Sequence, residues 1–408
     1  MRTIVSYLKI ICSTEIVLLS LLLTGCVFPH DPQPEPLPQV AADGQNDGNG
    51  VRVFPVNGTI QICNPSIALD TAAFPGCMLW LNFSGELAVK VPDSFSAFLG
   101  WSDQHDRLTI VDTANTVRWF MMREELGGDA LTEFQDPEWS THPEYLVTLF
   151  GTGEHKDYRC IAVHPESRKY LQLCDSILHW DATPHLWVDR CCSIGDVPDT
   201  VVFGEDGCAD SAAIASFFKT RRVKLVVAKK TGRYTSLYLR DFSDVHGTWI
   251  ALRRPSDREG WTCESPQISP DGNWIVFNAY KTPDHYETYI QRLKADARPL
   301  LFKTETSDPH WWVHPADTSL MFVVYQEVPG DNLVYGDYTD EKYLATAELG
   351  TTSRQMLRLF PDAATESAGA IRVGQPEVLV NLPMKGGLSP DGRYLCTGYS
   401  RAFIVGLP

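Results

Sequence analysis

The feature that most constrains this chain is a turn that recurs ahead of an apolar strand. Ser269-Pro270-Asp271-Gly272 runs into Asn273-Trp274-Ile275-Val276-Phe277, and Ser389-Pro390-Asp391-Gly392 runs into Arg393-Tyr394-Leu395-Cys396. Weaker copies follow the same order. Trp139-Ser140-Thr141-His142-Pro143-Glu144 precedes Tyr145 to Leu149, Val313-His314-Pro315-Ala316-Asp317 precedes Leu320 to Val324, and Trp101-Ser102-Asp103-Gln104 precedes Leu108 to Val111. A sixth is expected at Pro184 to Val188, ahead of an apolar run at Thr200 to Phe203. Such self-similarity implies a repeat architecture, in which each unit buries its apolar surface against its neighbours.

The residues of the repeat specify a hairpin. Proline presets φ for the first central position of a type I turn, Asp suits the second, and Gly supplies the left-handed conformation that returns the chain to a strand. The strand after each turn is apolar on both faces, as a strand between two packed layers must be. An outer half follows. Tyr158 to Val163, a turn through Pro165 to Lys169 and Tyr170 to Leu173 form one hairpin; Thr288 to Leu293 with Pro299 to Phe302, and Tyr234 to Leu239 with Thr248 to Leu252, form two more. Four short antiparallel strands in about 40 residues make one propeller blade. The expected fold is therefore all-β, a β-propeller of four-stranded blades over residues 51–408. Insertions are placed near 194–222 and 326–345; in the first, Asp210 should cap a short helix through Ser211 to Phe218.

These copies resemble the WD40-like Pro-Asp-Gly repeat of the periplasmic TolB family, over roughly residues 95 to 405. The resemblance implies six four-stranded blades, with a strand near Met78 to Val91 closing the ring. It does not extend to that family's separate N-terminal α/β domain, nor to the translocation role that goes with it. A looser resemblance is to paralogous Fibrobacter lipoproteins carrying such repeats.

The N-terminus sets the expected compartment. Arg2 and Lys9 precede a mostly apolar run from Ile10 to Leu23, 14 residues long and interrupted by Glu15. That is too short for an ordinary membrane span and matches an export signal. Leu23-Thr24-Gly25-Cys26 resembles a bacterial lipobox, which implies cleavage after residue 25 and acylation (palmitate among the chains) of Cys26. Residues 26–50 are then a tether: Pro29, Pro32, Pro34, Pro36 and Pro38, followed by Gly, Asn, Asp and Gln, cannot bury a core and are expected to be disordered. Val27 is not the aspartate of an inner-membrane retention signal, which in a Gram-negative host implies the outer membrane.

Charge and motifs narrow the function. The net charge of −16 becomes −17 once Arg2, Lys9 and Glu15 are removed with the signal, and so acidic a surface repels phosphate backbones, so nucleic acid is not an expected partner. Asp271 and Asp391 are explained by their turns rather than by catalysis. The sialidase Asp box places a residue between Asp and Gly that is missing here. His310 and His314 have the spacing of helical zinc ligands, but in a strand they stand about 13 Å apart, so no metal is assigned. Neither Gly-x-Ser-x-Gly nor His-Glu-x-x-His occurs, and the chain leaves no room for the catalytic domain of propeller peptidases. No catalytic residue and no cofactor are assigned. Cysteine pairings are expected in an oxidising compartment. Cys160 and Cys174, equidistant from Ser167, should face each other across a hairpin; Cys63 with Cys77, and Cys191 or Cys192 with Cys208, are weaker candidates. Tyr335, Tyr338 and Tyr343 in the acidic second insertion suit a contact surface, and Trp311 and Trp312 could stack on a sugar. The expected function is a lipid-anchored binding scaffold of the cell envelope, held to the membrane through Cys26 and recognising a protein or glycan. The alternative is an envelope enzyme acting on polysaccharide, a hydrolase or lyase with its site in the propeller funnel.

Overall fold

The turns do what their residues dictate. In the computed structural model, Gly272 N–H donates to Ser269 O at 2.8 Å and Gly392 N–H to Ser389 O at 2.9 Å. Both glycines lie in the left-handed region, at φ +70° and +72°. The serine hydroxyl of each turn accepts the N–H of the first strand residue, Trp274 or Tyr394, at 2.9 Å. The Asp carboxylate accepts the N–H two residues on, from Asn273 or Arg393. Each turn thereby joins an inner strand to the apolar strand after it.

The structure describes residues 45–46, 52–55 and, with gaps, 62–407; the longest stretches outside it are 190–200, 328–352 and 361–371. The signal, Cys26, most of the tether, the side chain of Cys63, Cys191, Cys192, and Tyr335, Tyr338 and Tyr343 lie outside the described residues.

Six hydrogen-bonded sheets succeed one another as a propeller. The first holds Ile62–Ile67, Met78–Asn82, Arg107–Val111 and Val117–Met122. The second holds Thr132–Trp139, Leu146–Thr152, Asp157–His164 and Lys169–Leu178; the third His185–Val188, Val223–Thr231, Tyr234–Asp241 and Ile250–Ala251. The fourth holds Thr262–Ile268, Trp274–Tyr280, Tyr286–Arg292 and Leu300–Thr304. These four are plain meanders of four consecutive strands, so the number of uniform blades is four rather than six. The fifth sheet, Thr306–Val313, Met321–Glu327, Ser353–Phe360 and Arg372–Val373, takes a fifth strand, Glu377–Val380. The sixth is composite: Tyr394–Gly398 and Ala402–Gly406 are completed by Arg52–Pro55 and Gln45–Asn46 from the other end of the chain.

Three sequence expectations are corrected here. The ring is closed by Arg52–Pro55, with Val53 opposite Val405 and Pro55 opposite Phe403, and not by the strand at Met78, which is the second strand of the first sheet. The copy at Trp101 precedes Arg107–Val111, a third strand; the true counterpart is the longer turn after Ile67, where Asp70 Oδ1 accepts the N–H groups of Ala72 and Ala73. His185–Val188 pairs with Val223–Thr231 rather than with the run at Thr200, because the insertion intervenes. The inserted helix is as expected: Asp210 caps Ser211–Phe218 by accepting Ala213 N–H at 2.8 Å.

Apolar second and third strands fill the spaces between sheets. Leu225 and Val227 pack with Leu149 and Tyr158, Val226 and Leu239 with Ile275 and Phe277, and Val276 and Ile290 with Val323 and Tyr325. Trp312, Phe322 and Val324 meet Leu388 and Leu395, and Met78 and Trp80 meet Cys396 and Ile404. Two tryptophans then lock sheet to sheet. Trp187 donates from Nε1 to Pro270 O at 3.0 Å, and Trp312 to Ser389 O at 2.9 Å, each docking on the neighbouring sheet's Ser-Pro-Asp-Gly turn. A Cβ on Gly272 would lie 2.5 Å from the Trp187 ring. Glycine here therefore serves both its φ and its neighbour.

Gly272→Ala should cost roughly 3 kcal/mol in urea unfolding, the left-handed backbone term plus the clash with Trp187. Gly127→Ala, at φ +77° with open space around it, should cost only about 1 kcal/mol. Equal costs would show that the tryptophan lock contributes nothing.

Candidate functional site

The inner strands carry a second repeat, an X-Pro pair: Asn64-Pro65, Asp136-Pro137, Thr183-Pro184, Ser265-Pro266 and Asp308-Pro309. Proline removes a ladder N–H, so a strand bearing it must bulge or sit at an edge. Bulges occur here. Pairing skips one extra residue between Cys63 and Ser66, Gln135 and Glu138, Glu264 and Gln267, and Ser307 and His310. The residue before proline is left-handed at Asp136, Thr183, Ser265 and Asp308, with φ from +37° to +51°. Such a conformation costs on the order of 1 kcal/mol or more for a residue with a side chain.

The neighbouring sheet helps to hold the bulges. Asp136 Oδ2 accepts Thr183 N–H at 3.3 Å, and Asp308 Oδ2 accepts Gly386 N–H at 2.9 Å, so each carboxylate clamps the next sheet's inner segment. Asn278 Oδ1 accepts Asp308 N–H at 2.8 Å.

The residue after each proline enters the axial space: Ser66, Glu138, His185, Gln267 and His310, with Gly387 in the sixth sheet. A Cβ on Gly387 would come within 3.3 Å of His310 Cδ2, so the missing side chain leaves room for that imidazole. Ser66 donates its hydroxyl hydrogen to Glu138 Oε1. Glu138 Oε2 lies 3.9 Å from His310 Nε2. His310 Nδ1 is 3.1 Å from Asp308 O, and because a carbonyl only accepts, that nitrogen carries a proton.

His185 is fixed in the opposite sense. Its Nδ1 accepts Ile268 N–H at 3.0 Å, so in the neutral ring the proton sits on Nε2. The residue is 3 % exposed and lines the cavity, and no acceptor meets Nε2 among the described residues. Burial, with His310 beside it, lowers its pKa to about 3. His185 is therefore a neutral N–H donor aimed into the axis.

Glu138, Gln267 and His310 line two cavities and form the neck between them. One, about 70 Å³, lies among the X-Pro pairs. The other, about 560 Å³, opens among the turns that join inner to second strands, past Pro143, Pro270, Pro315 and Pro390. Its ionisable lining is Glu138, Glu144, His142, His185, His310 and His314; among the described residues no Lys or Arg lines it. The carboxyl of Glu144 is held above the usual range by burial and by Asp70 and Glu166, and its Oε2 lies 3.9 Å from His164 Nε2.

His142 and His314 are turn caps. Their Nδ1 atoms accept the N–H groups of Glu144 and Ala316 at 3.3 and 3.2 Å, the role that Asp271 and Asp391 play in their own turns. His310 stands in its strand and His314 in the turn beyond it. Among the described residues no group of three or more His, Cys, Asp or Glu is placed to hold a metal. Trp311 donates its Nε1–H to Gln267 O at 2.8 Å and Trp312 its own to Ser389 O at 2.9 Å, and both residues line the larger cavity.

Cys160 and Cys174 do face each other, as Cα partners across the hairpin. The sulfur that Cys174 meets, however, is that of Cys208. Cys77 is a buried thiol whose nearest polar contact is Pro75 O. The axial ring itself escaped the sequence reading; the recurring X-Pro pair was the signal that could have found it.

Neither a family model nor a curated protein matches the chain. Among solved structures it is similar to TolB from Acinetobacter baumannii (12% identity, 74% of this chain, TM-score 0.40), and spans 59% of that TolB chain. It is also similar to an oligogalacturonate lyase in complex with manganese (12% identity, 93% of this chain and 99% of that one, TM-score 0.40). A thermostable family-43 glycoside hydrolase is a third (13% identity, 82% of this chain and 98% of that one, TM-score 0.39).

Buried neutral histidines tie stability to pH with a definite sign. His105 and His185, lowered to about 4 and about 3, stay unprotonated in the fold but take up protons at about pH 6.5 once unfolded. Stability should therefore be full above pH 6.5 and fall below it, by up to about 1.4 kcal/mol per pH unit for each group. Denaturation between pH 7 and 5 measures the slope, and His105→Gln should reduce it. An unchanged slope in that variant would contradict the assignment.

Proposed function

We propose that this protein is a binding module of the cell envelope, anchored at Cys26, that takes a polar group of a protein or glycan partner into the axial cavity. One observation carries the reading. His185 presents a neutral Nε2–H, locked in that tautomer by Ile268 N–H, to a 560 Å³ cavity in which no protein acceptor meets it among the described residues. That N–H faces open cavity space, where water can accept it in the free protein and a ligand oxygen can take the water's place.

The lining also selects the ligand's charge. With two carboxylates, four histidines and no Lys or Arg among its described lining residues, the cavity disfavours phosphate, uronate and other anions at neutral pH. A neutral hydroxyl or amide group suits it better: its oxygen accepts from His185, and its hydrogen is offered to Glu138 or the Gln267 amide. Glu138 and Glu144 lining one cavity favour a second reading, an enzyme acting on a neutral polysaccharide. Against it, Glu138 already accepts from Ser66.

The test is an affinity capture of the mature domain from envelope extract, beside a panel of neutral and anionic glycans. Binding should be confined to protein or neutral glycan. His185→Asn, whose Oδ1 can keep accepting Ile268 N–H while the Nε2–H is lost, should weaken it at least tenfold, the equivalent of one buried hydrogen bond, with little change in the unfolding midpoint. Turnover of a polysaccharide that Glu138→Gln abolishes would replace the binding reading with the enzymatic one.

A further inference from the structure

The segment that returns from the first insertion bridges two sheets. Phe203 pairs with Ala209, and Gly204 N–H donates to Cys208 O at 2.9 Å, closing a small hairpin. On one side this hairpin adds to Lys169–Leu178, a terminal strand of the second sheet. Ala209 N–H donates to Leu173 O at 2.9 Å, and Cys174 and Cys208 are antiparallel bridge partners. On the other side it reaches the third sheet. Asp206 Oδ2 lies 2.8 Å from Arg240 Nε, and Trp249 donates to Asp206 O at 3.1 Å.

At the centre of this junction the Sγ atoms of Cys174 and Cys208 are 3.1 Å apart, both residues 1 % exposed or less. Directly opposed bridge partners have the Cα separation that a disulfide spans, and closing the sulfurs to a bond needs about 1 Å of side-chain movement. Cys160 stands close by, opposite Cys174 across the hairpin, yet Cys208 is the residue whose sulfur Cys174 touches. Burial raises the thiol pKa of both Cys160 and Cys174, so an exchange with outside oxidants belongs to folding rather than to the finished structure.

We infer that Cys174 and Cys208 form a disulfide that staples the inserted segment across the second and third sheets, leaving Cys160 as a thiol. In the step, both S–H bonds break and one S–S bond forms. Two protons go to solvent, and two electrons reduce the disulfide of a thiol oxidoreductase, or glutathione disulfide, to its dithiol form.

Peptide mapping of the full-length protein decides the matter. The chain is folded in the presence of glutathione disulfide, alkylated, and digested without reductant. Trypsin separates Cys160 (before Arg168) from Cys174 (before Arg190), and a second cut after Glu205 separates Cys208 from Cys191 and Cys192. The expected product joins the Cys174 and Cys208 peptides, with Cys160 alkylated. The link should persist in Cys160→Ala and vanish in Cys208→Ala, and reductant should lower Tm by about 5 °C in the wild type and in Cys160→Ala but not in Cys208→Ala. Alkylation of both Cys174 and Cys208, or a link from Cys174 to Cys160, would overturn the inference.

Discussion

Five inner strands and the segment at Gly387 converge on one axis, and in four of those strands the regular pleat is interrupted. The interruption is the proline-marked bulge. By deleting one ladder N–H and forcing the preceding residue to positive φ, it shifts each strand's alternation by one residue and sends a single side chain to the centre. Several left-handed residues with side chains are a considerable strain for one ring to hold. What holds it lies partly outside each strand: carboxylates of Asp136 and Asp308 fixing the next sheet, and tryptophans pinned to the next turn. The strained element and its restraint belong to different sheets, so the bulges depend on the closed ring.

The same logic explains why turn residues vary so freely. The position two residues before a donated N–H needs an acceptor and little else. Asp271, Asp391 and Asp70 meet that need with a carboxylate, His142 and His314 with an imidazole nitrogen. Glycine is demanded only where a neighbouring tryptophan lies against the turn, as Trp187 lies on Gly272 and Trp312 on Gly392. Degraded copies of the motif are therefore complete turns whose neighbours impose different demands.

Most of the architecture was legible because it is written in local chemistry. Ser-Pro-Asp-Gly turns, doubly apolar strands and the Asp210 helix cap each follow from a few adjacent residues. What was misread involved partners distant in sequence. Nothing near Arg52 announces that it will pair with the last strand, and nothing near Cys174 announces Cys208, because both meetings are products of ring closure. The axial site was missed for a related reason. Ser66, Glu138, His185, Gln267 and His310 share no residue type, and only their common place after a proline unites them.

That diversity is itself informative. Five inner strands and the segment at Gly387 form an alignment within a single chain. Where the fold dictates, the copies agree: proline stands at each of the four bulges and before His185, and Ser66, Glu138, His185, Gln267, His310 and Gly387 are followed by Ile67, Trp139, Leu186, Ile268, Trp311 and Leu388, all large and apolar. Between those fixed points the chain places a hydroxyl, a carboxylate, two imidazoles, an amide and no side chain at all. A common packing demand does not account for this set, since a proline precedes five of the six positions and a glycine the sixth. The two imidazoles are also held in opposite tautomers by different backbone groups, Ile268 N–H and Asp308 O, which gives the ring a fixed arrangement of donors and acceptors around its axis. A scaffold that repeats itself everywhere except at the one ring of residues facing its cavity has its specificity concentrated there.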